Sequence, residues 1–328
     1  MSGTSHIINE PDTLLQALFK LFPERSRKGV KDLLSKGQVQ VNGEGCTAFD
    51  RPLKKGDRIS ILPKGISIAR AVREDARDEV LRSGVKIVFE DDDYIVADKP
   101  SGLLCVSTAR GSSAKSGHKE PTLYALLNAY IKVEARTRRK EDLIEGRAPD
   151  RSTAKIWIVH RLDKGTSGLV IFAKNERAKD ILQSKWKELV LERTYIAFLE
   201  GKPEKEQGAV QSYLVENPKS LKMYSSPTEI RDGQLAITHY KVLGYCRKGR
   251  QEYSKASFSL STGRKNQIRV HAADLGCPIA GDEKYGAQTD PLHRLALHAH
   301  TLVFRHPFTQ KTVRLTSPLP PIFDRLDV

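Results

Sequence analysis

Asp163 is a lone carboxylate flanked by Arg161 and Lys164, with the hydroxyl residues Thr166 and Ser167 just beyond, in the stretch Val159-His160-Arg161-Leu162-Asp163-Lys164-Gly165-Thr166-Ser167-Gly168-Leu169. Positive neighbours favour the ionised form of an acid, and an ionised carboxylate can act as a nucleophile at neutral pH. The stretch lies between two apolar runs, 156–159 and 169–173, whose length and β-branched content predict buried strands. Gly165 and Gly168 allow the backbone shapes that a tight connection needs. Arg161 and Asp163 would then be presented from a rigid base. Taken alone, the pattern also describes a surface turn in which Asp163 caps the backbone and pairs with Lys164.

The whole chain narrows the chemistry. Its 328 residues are enough for a small and a large domain. With 55 Lys and Arg against 40 Asp and Glu, the net charge is +15, which favours a polyanionic partner and most simply a nucleic acid. No basic amphipathic helix with an aromatic face points to a membrane surface. No apolar run approaches the roughly 20 residues that span a bilayer, and no basic-then-apolar leader opens the chain, so a cytoplasmic protein is expected. Cys46, Cys105, Cys246 and Cys277 are too scattered for a disulfide framework or a zinc ribbon. His298 and His300 alternate on a predicted strand without a third ligand at a recognisable spacing, and no glycine-rich nucleotide loop is present. Neither a metal nor a cofactor is expected.

The elements around Asp163 follow from periodicity. Residues 1–12 read as a flexible polar tail. Leu14, Leu15, Leu18, Phe19 and Phe22 then recur at helical spacing. A second helix follows a Ser26 cap, with Val30, Leu33 and Leu34 as its apolar stripe and Arg25, Arg27, Lys28, Lys31 and Lys36 around it. Gln38 to Gly43 alternates into an Asn-Gly hairpin, and Arg58 to Ile61 alternates again. Residues 64–82 read as a linker, and 83–328 as a larger domain.

That domain opens with strands 85–89 and 94–97 joined by an acidic turn and closed by Lys99-Pro100-Ser101-Gly102. A helix is predicted over 122–133, inside a basic insertion spanning 108–155 whose segment from Arg136 to Thr153 reads as an exposed loop. Ala178, Ile181, Leu182, Trp186 and Leu189 form one face of a further helix, which makes Trp186 a core residue. Strands at 193–199, 236–246 and 256–260 complete an α+β domain on a mixed, mostly antiparallel sheet.

The string from His160 to Leu169 resembles the active-site signature of the RluA family, the pseudouridine synthases of the ribosomal large-subunit type. Lys99-Pro100-Ser101-Gly102, Leu191 to Ala197, Leu260 to His271, Gly276 to Gly286 and Arg294 to His300 are similar to further motifs of that family. The two helices and hairpin of 13–63 resemble an S4-type RNA-binding domain. The resemblance implies a cofactor-free isomerase acting on RNA, with Asp163 as the catalytic carboxylate, Tyr195 as the active-site tyrosine and Arg269 paired with the aspartate. It also implies that Arg161 fills the space left by a flipped-out uridine, and it leaves Arg264 a phosphate-binding or structural role. Arg25, Arg27, Lys28 and Lys31 become candidate phosphate contacts. The family has His where this chain has Asn266, so position 266 receives no role.

The expected target is 23S ribosomal RNA. The alternatives are a transfer-RNA synthase of the same family, a non-catalytic RNA-binding assembly factor, and a nucleoside glycosidase, which would want a second carboxylate that the Asp163 motif does not supply. No obligate protein partner is evident.

Overall fold

The computed structural model of the chain describes residues 4–61, 79–107, 120–144 and 154–326. Its contacts group into one unit of Met1–Arg82 with Asn128–Ala154 and a second of Ser83–Leu127 with Lys155–Val328.

In the first unit, α1 (Leu14–Leu21) buries Leu14, Ala17 and Leu18, and α2 (Arg27–Ser35) buries Val30, Leu33 and Leu34. That spacing lines one face of each helix. Ser26 caps α2 by accepting from the Gly29 N–H at 3.1 Å. The helices share a core with an antiparallel sheet of β1 (Thr4–Ile7), β6 (Arg58–Ile61), β3 (Val39–Val41) and β4 (Glu44–Gly45), in that order. The short strands β2 (Asp12–Thr13) and β5 (Pro52–Leu53) pair beside it. Asn42 and Gly43 join β3 to β4 with φ of 56° and 82°, the paired left-handed residues of a hairpin turn.

Two expectations are corrected here. Residues 4–7 are not a tail: β1 pairs in register with β6, Thr4 opposite Ile61 and Ile7 opposite Arg58, because the edge of β6 offers backbone groups that a polar strand can satisfy. The predicted loop from Arg136 is also partly helix, since α3 runs from Leu123 to Ile144. Residues 134–144 contain no Gly or Pro and are rich in strong helix formers, so nothing stops the helix at 133. From Asn128 onward α3 groups with the first unit rather than with the larger domain. Most of the expected linker (64–78) and much of the basic insertion (108–119 and 145–153) lie outside the described residues. Val80, also in the expected linker, is buried.

The second unit is built on an eleven-stranded mixed sheet. Its strands are β7 (Lys86–Glu90), β8 (Tyr94–Lys99), β9 (Trp157–Ile158), β10 (Ser167–Ala173), β11 (Val190–Glu200), β12 (Gln207–Glu216), β13 (Met223–Ser226), β14 (Gln234–Lys248), β15 (Gln251–Leu260), β16 (Leu297–Arg305) and β17 (Thr312–Thr316). The order is β13-β12-β14-β15-β11-β16-β10-β8-β7, with β17 on β16 and β9 on β10. The pair β10 and β16 is parallel, and the other named pairs are antiparallel. Strands β12, β13 and β17 went unread in the sequence.

Helices cover the sheet in two places. Ala178 and Leu182 of α4 (Glu176–Ser184) and Leu189 of α5 (Trp186–Leu189) pack with Tyr94, Val96, Leu169, Ile171 and Phe304. Val270 of α6 (Gln267–Asp274) packs with Leu214, Met223, Ala236 and Tyr285. Among the described residues no helix is long and apolar enough to cross a membrane.

Candidate active site

Asp163 sits in the connection from β9 into β10, and neighbouring backbone fixes that connection from below. Every residue of β10 is buried, so the strand is a rigid anchor. Gly168 has φ of +109°, and a Cβ there would meet the Ala299 carbonyl oxygen at 2.2 Å. Only glycine permits β10 to approach β16 this closely. Beneath the turn, the fully buried Lys99 ammonium donates to the carbonyls of Pro100 (2.9 Å), Leu103 (2.8 Å) and Lys164 (3.1 Å). Ser101 Oγ donates to Gly165 O at 2.7 Å, and the Gly102 N–H to Lys164 O at 2.8 Å. The Lys-Pro-Ser-Gly stretch is therefore the support of the Asp163 turn. Burial pulls the Lys99 ammonium down to about 8.

Arg294 and His298 brace the start of β10. Arg294 Nη2 donates to Ser167 Oγ at 2.7 Å, and His298 Nδ1 shares a hydrogen bond with the same hydroxyl at 2.8 Å. His298 and His300 both meet the Ser317 carbonyl. Both histidines are hydrogen-bonded structural groups, as their lack of a third ligand suggested.

Above this floor opens a cleft of about 710 Å³, with Arg161, Asp163, Tyr195, Arg264 and Arg269 among its lining residues. Tyr195 lies beside a register shift between β11 and β16, and such an irregularity re-aims the side chains next to it. Burial pushes its phenol up, with the Arg193 charge opposing, so the hydroxyl keeps its proton at neutral pH. Arg193 lies over the Trp186 ring at 5.3 Å, and that ring stands 5.3 Å from the His160 ring. Trp186 packs against the core, as expected, but it also forms part of the cleft wall. Arg161 and Arg264 are exposed at the cleft.

Arg269 Nη1 lies 3.5 Å from Asp163 Oδ2. Its Nε and Nη2 are held by Asp282 at 2.7 and 2.6 Å. Burial works against the guanidinium charge, and the hydrogen bonds and charge of Asp282 outweigh it, so the group is held firmly cationic. The residues nearest to Asp163 and Arg269 include three that the sequence left without a role. Asn266 faces Asp163 directly, and the neighbours determine which end of its amide points where. Asp163 presents acceptors, so Nδ2 donates to Oδ2 at 2.8 Å and Oδ1 at 3.0 Å, while the Asn266 oxygen accepts from the Tyr285 hydroxyl at 2.9 Å. Tyr285 stacks under Arg269 at 4.8 Å. Asp282 and Tyr285 lie in Gly276 to Gly286, a stretch matched to a family motif with no site residue assigned in it. Asp282 meets Arg269 13 positions away and Tyr285 meets Asn266 19 positions away, whereas Asn266 meets Asp163 from a separate stretch of the chain, which no local spacing reveals.

Of the predicted site residues, Asp163, Tyr195, Arg269, Arg161 and Arg264 share this cleft. Arg25, Arg27, Lys28 and Lys31 belong to the other unit, where all four are exposed at the start of or along α2.

Among the described residues one His/Asp cluster has metal-like composition, Asp91, Asp93 and His306. His306 Nδ1 accepts from the N–H groups of Phe308 (3.3 Å) and Thr309 (3.1 Å). The ring proton therefore sits on Nε2, 3.0 Å from Asp91 Oδ2. A metal-binding imidazole needs the reverse arrangement, a lone pair toward the ion and a proton on the far nitrogen.

A family described as RNA pseudouridylate synthase matches residues 93–274, a span from the start of β8 to the end of α6 that carries Asp163, Tyr195 and Arg269. The chain belongs to this family. The synthase is 32% identical to the ribosomal large subunit pseudouridine synthase C of Rickettsia bellii over 97% of this chain and 99% of the relative. It is 30% identical to the uncharacterized RNA pseudouridine synthase YhcT of Bacillus subtilis, over 97% and 94% of the two chains. It is also 30% identical to the ribosomal large subunit pseudouridine synthase D of Pasteurella multocida, over 95% and 89%. The solved structure of human RNA pseudouridylate synthase domain containing 4 has the same fold, with a TM-score of 0.53 at 22% identity over 78% of this chain and 95% of that one. The synthase is thus an isomerase acting on RNA, which exchanges the N1–C1′ bond of uridine for a C5–C1′ bond.

Proposed function

We propose that this synthase modifies uridines of the large-subunit ribosomal RNA, with Asp163 as its catalytic carboxylate. The observation that carries this is the Asp163 side chain, 29% exposed at the floor of the cleft with Arg269 at 3.5 Å. A uridine within a helix must leave its stack to reach a carboxylate so placed. Arg161, exposed at the rim, would fill the vacated space, and Arg264 would hold backbone phosphate. Tyr195 would stack on the uracil and assist proton transfer from C5. Asp163 would attack C1′ or C6, or remove a sugar proton to give a glycal. In each route the N1–C1′ bond breaks, the uracil turns, C5 bonds to C1′ and the C5 proton is lost.

The choice of ribosomal RNA is supported by the names of the Rickettsia and Pasteurella relatives, which are large-subunit enzymes. In this reading 13–63 is an S4-like module, with Arg25, Arg27, Lys28 and Lys31 meeting phosphates, and the enzyme works in the cytoplasm without an obligate protein partner. The test is pseudouridine mapping of total RNA from cells with and without the gene. Loss of discrete large-subunit sites, restored by the wild type and not by Asp163→Asn, is the expected result. Loss confined to transfer RNA would overturn the substrate assignment, and restoration by Asp163→Asn would overturn the catalytic one.

A further inference from the structure

Arg269 is the expected partner of Asp163, yet most of its hydrogen-bonding capacity points elsewhere. Two of its three nitrogens are held by Asp282, and the third stands at 3.5 Å from the carboxylate, an ion-pair distance beyond that of a good hydrogen bond. The short donors to Asp163 come from Asn266, whose amide nitrogen reaches both carboxylate oxygens. Asn266 is itself held from three sides. It is buried, at 8% exposure. Its backbone is left-handed, φ 55° and ψ 19°, at the N-cap of α6, a conformation that Asn adopts more readily than most residues. Its oxygen receives the Tyr285 hydroxyl, whose own oxygen accepts the Met223 N–H at 3.1 Å and so has its proton free to give.

We propose that Asn266, oriented by Tyr285, is the positioning residue of this synthase, fixing the rotation and aim of the Asp163 carboxylate. The inference rests on the reading of Asp163 as the catalytic group. An amide donor bridging both oxygens stops the carboxylate from turning about its Cβ–Cγ bond and leaves its remaining lone pairs toward the cleft. It does so without a second charge and without a proton that titrates near neutrality. Arg269 then supplies charge while Asn266 supplies direction. The His that the family carries at this position can also adopt the left-handed conformation and can offer one ring N–H, so it can perform part of the same task.

The test measures single-turnover rate at saturating RNA, RNA affinity and unfolding temperature for Asn266→Ala, Asn266→Asp, Asn266→His and Tyr285→Phe, with Asp163→Asn alongside. Misaiming a reacting group costs on the order of 100-fold in rate. Asn266→Ala should therefore fall by about 10- to 100-fold in rate, with RNA affinity within about threefold of wild type. Asn266→Asp has the same shape but turns an acceptor toward Asp163, and should be slower than Asn266→Ala at neutral pH. Asn266→His should recover most of the loss, and Tyr285→Phe should lie between Asn266→Ala and wild type. A purely steric role predicts the opposite ranking, with Asn266→Asp near wild type. That ranking, or an Asn266→Ala rate within threefold of wild type, overturns the proposal while an inactive Asp163→Asn leaves the catalytic reading standing. An active Asp163→Asn would instead remove the reading on which the proposal rests.

Discussion

Asp282 grips Arg269 with both carboxylate oxygens, Oδ2 to Nε at 2.7 Å and Oδ1 to Nη2 at 2.6 Å, and its side chain is 1% exposed. The fork fixes the plane of the guanidinium, so the edge that faces Asp163 is set by a residue outside the Asp163 turn. The cleft is thereby organised from two sides, by the Lys99 support under the turn and by the Asp282 clamp on α6.

Asp163→Asn keeps the shape of the side chain and removes the charge. Pseudouridine formation should fall by at least ~1,000-fold, as for the loss of a reacting group, with RNA affinity nearly unchanged. Product formation and RNA binding measured on the same preparation check this.

Asp282→Ala leaves the largely buried Arg269 guanidinium without its two short hydrogen bonds and with Asp163 at 3.5 Å as its nearest counter-ion. Breaking a buried pair from one side costs about 3–5 kcal/mol of stability, and the freed Arg269 should lower turnover by on the order of 100-fold. Denaturant unfolding and single-turnover rates report the two effects separately. A variant as stable as the wild type would show that the clamp does not hold the site.

Lys99→Met replaces the buried ammonium with an apolar chain, removes this donor from the carbonyls of Pro100 and Leu103, and leaves that of Lys164 with the Gly102 N–H alone. An unsatisfied buried polar group costs about 1–3 kcal/mol, so the thermal midpoint should drop clearly. Because one of those carbonyls belongs to the Asp163 turn, the catalytic rate should fall more than RNA affinity does.

Acid should destabilise the second unit through the buried His271 and His298 and the half-buried His160. Burial pulls His160 down to about 3, and His271 and His298 each to about 4, below the ordinary value near 6.5. Between those limits the unfolded chain binds protons that the folded chain refuses, so stability falls as pH drops below about 6.5 and continues to fall toward about 4. From pH 6.5 to pH 5 the loss is on the order of 2 kcal/mol per histidine. Urea unfolding at pH 7.5 and 5.0 measures it, and His271→Gln should show a smaller drop than the wild type.

Changing Arg25, Arg27, Lys28 and Lys31 together to Gln should weaken RNA binding and flatten its salt dependence. The slope of log affinity against log salt should lose about one for each phosphate contact removed. The rate at saturating RNA should stay the same. An unchanged slope would mean that this helix does not meet phosphate.

The elements with a clear period were legible in the sequence. Leu14 to Leu18, the Ser26 cap with Val30 to Leu34, the Asn42-Gly43 turn and the apolar run of β10 each carry a local signal that tertiary contacts reinforce. The C-terminal end of α3 was missed because the charges of 134–144 read as loop, whereas their helix propensity was the better guide. Strand β1 was missed because a polar strand of Thr4–Ile7 has no signal until β6 supplies the edge it pairs with.

The sequence by itself determined the chemistry available: a carboxylate on a tight turn, a strand tyrosine, two arginines after Gly263, and an excess of positive charge. Residue types and short spacings encode these, and the similarity of the motifs does the rest. Only the tertiary structure decided which groups hold which. Asn266 meets Asp163 across a cleft wall, Asp282 turns Arg269 away from a full pairing, and Lys99 reaches the Lys164 carbonyl 65 positions along the chain. Hydrogen bonds are fixed by distances of a few tenths of an ångström, and those distances are set by how eleven strands and their covering helices pack together.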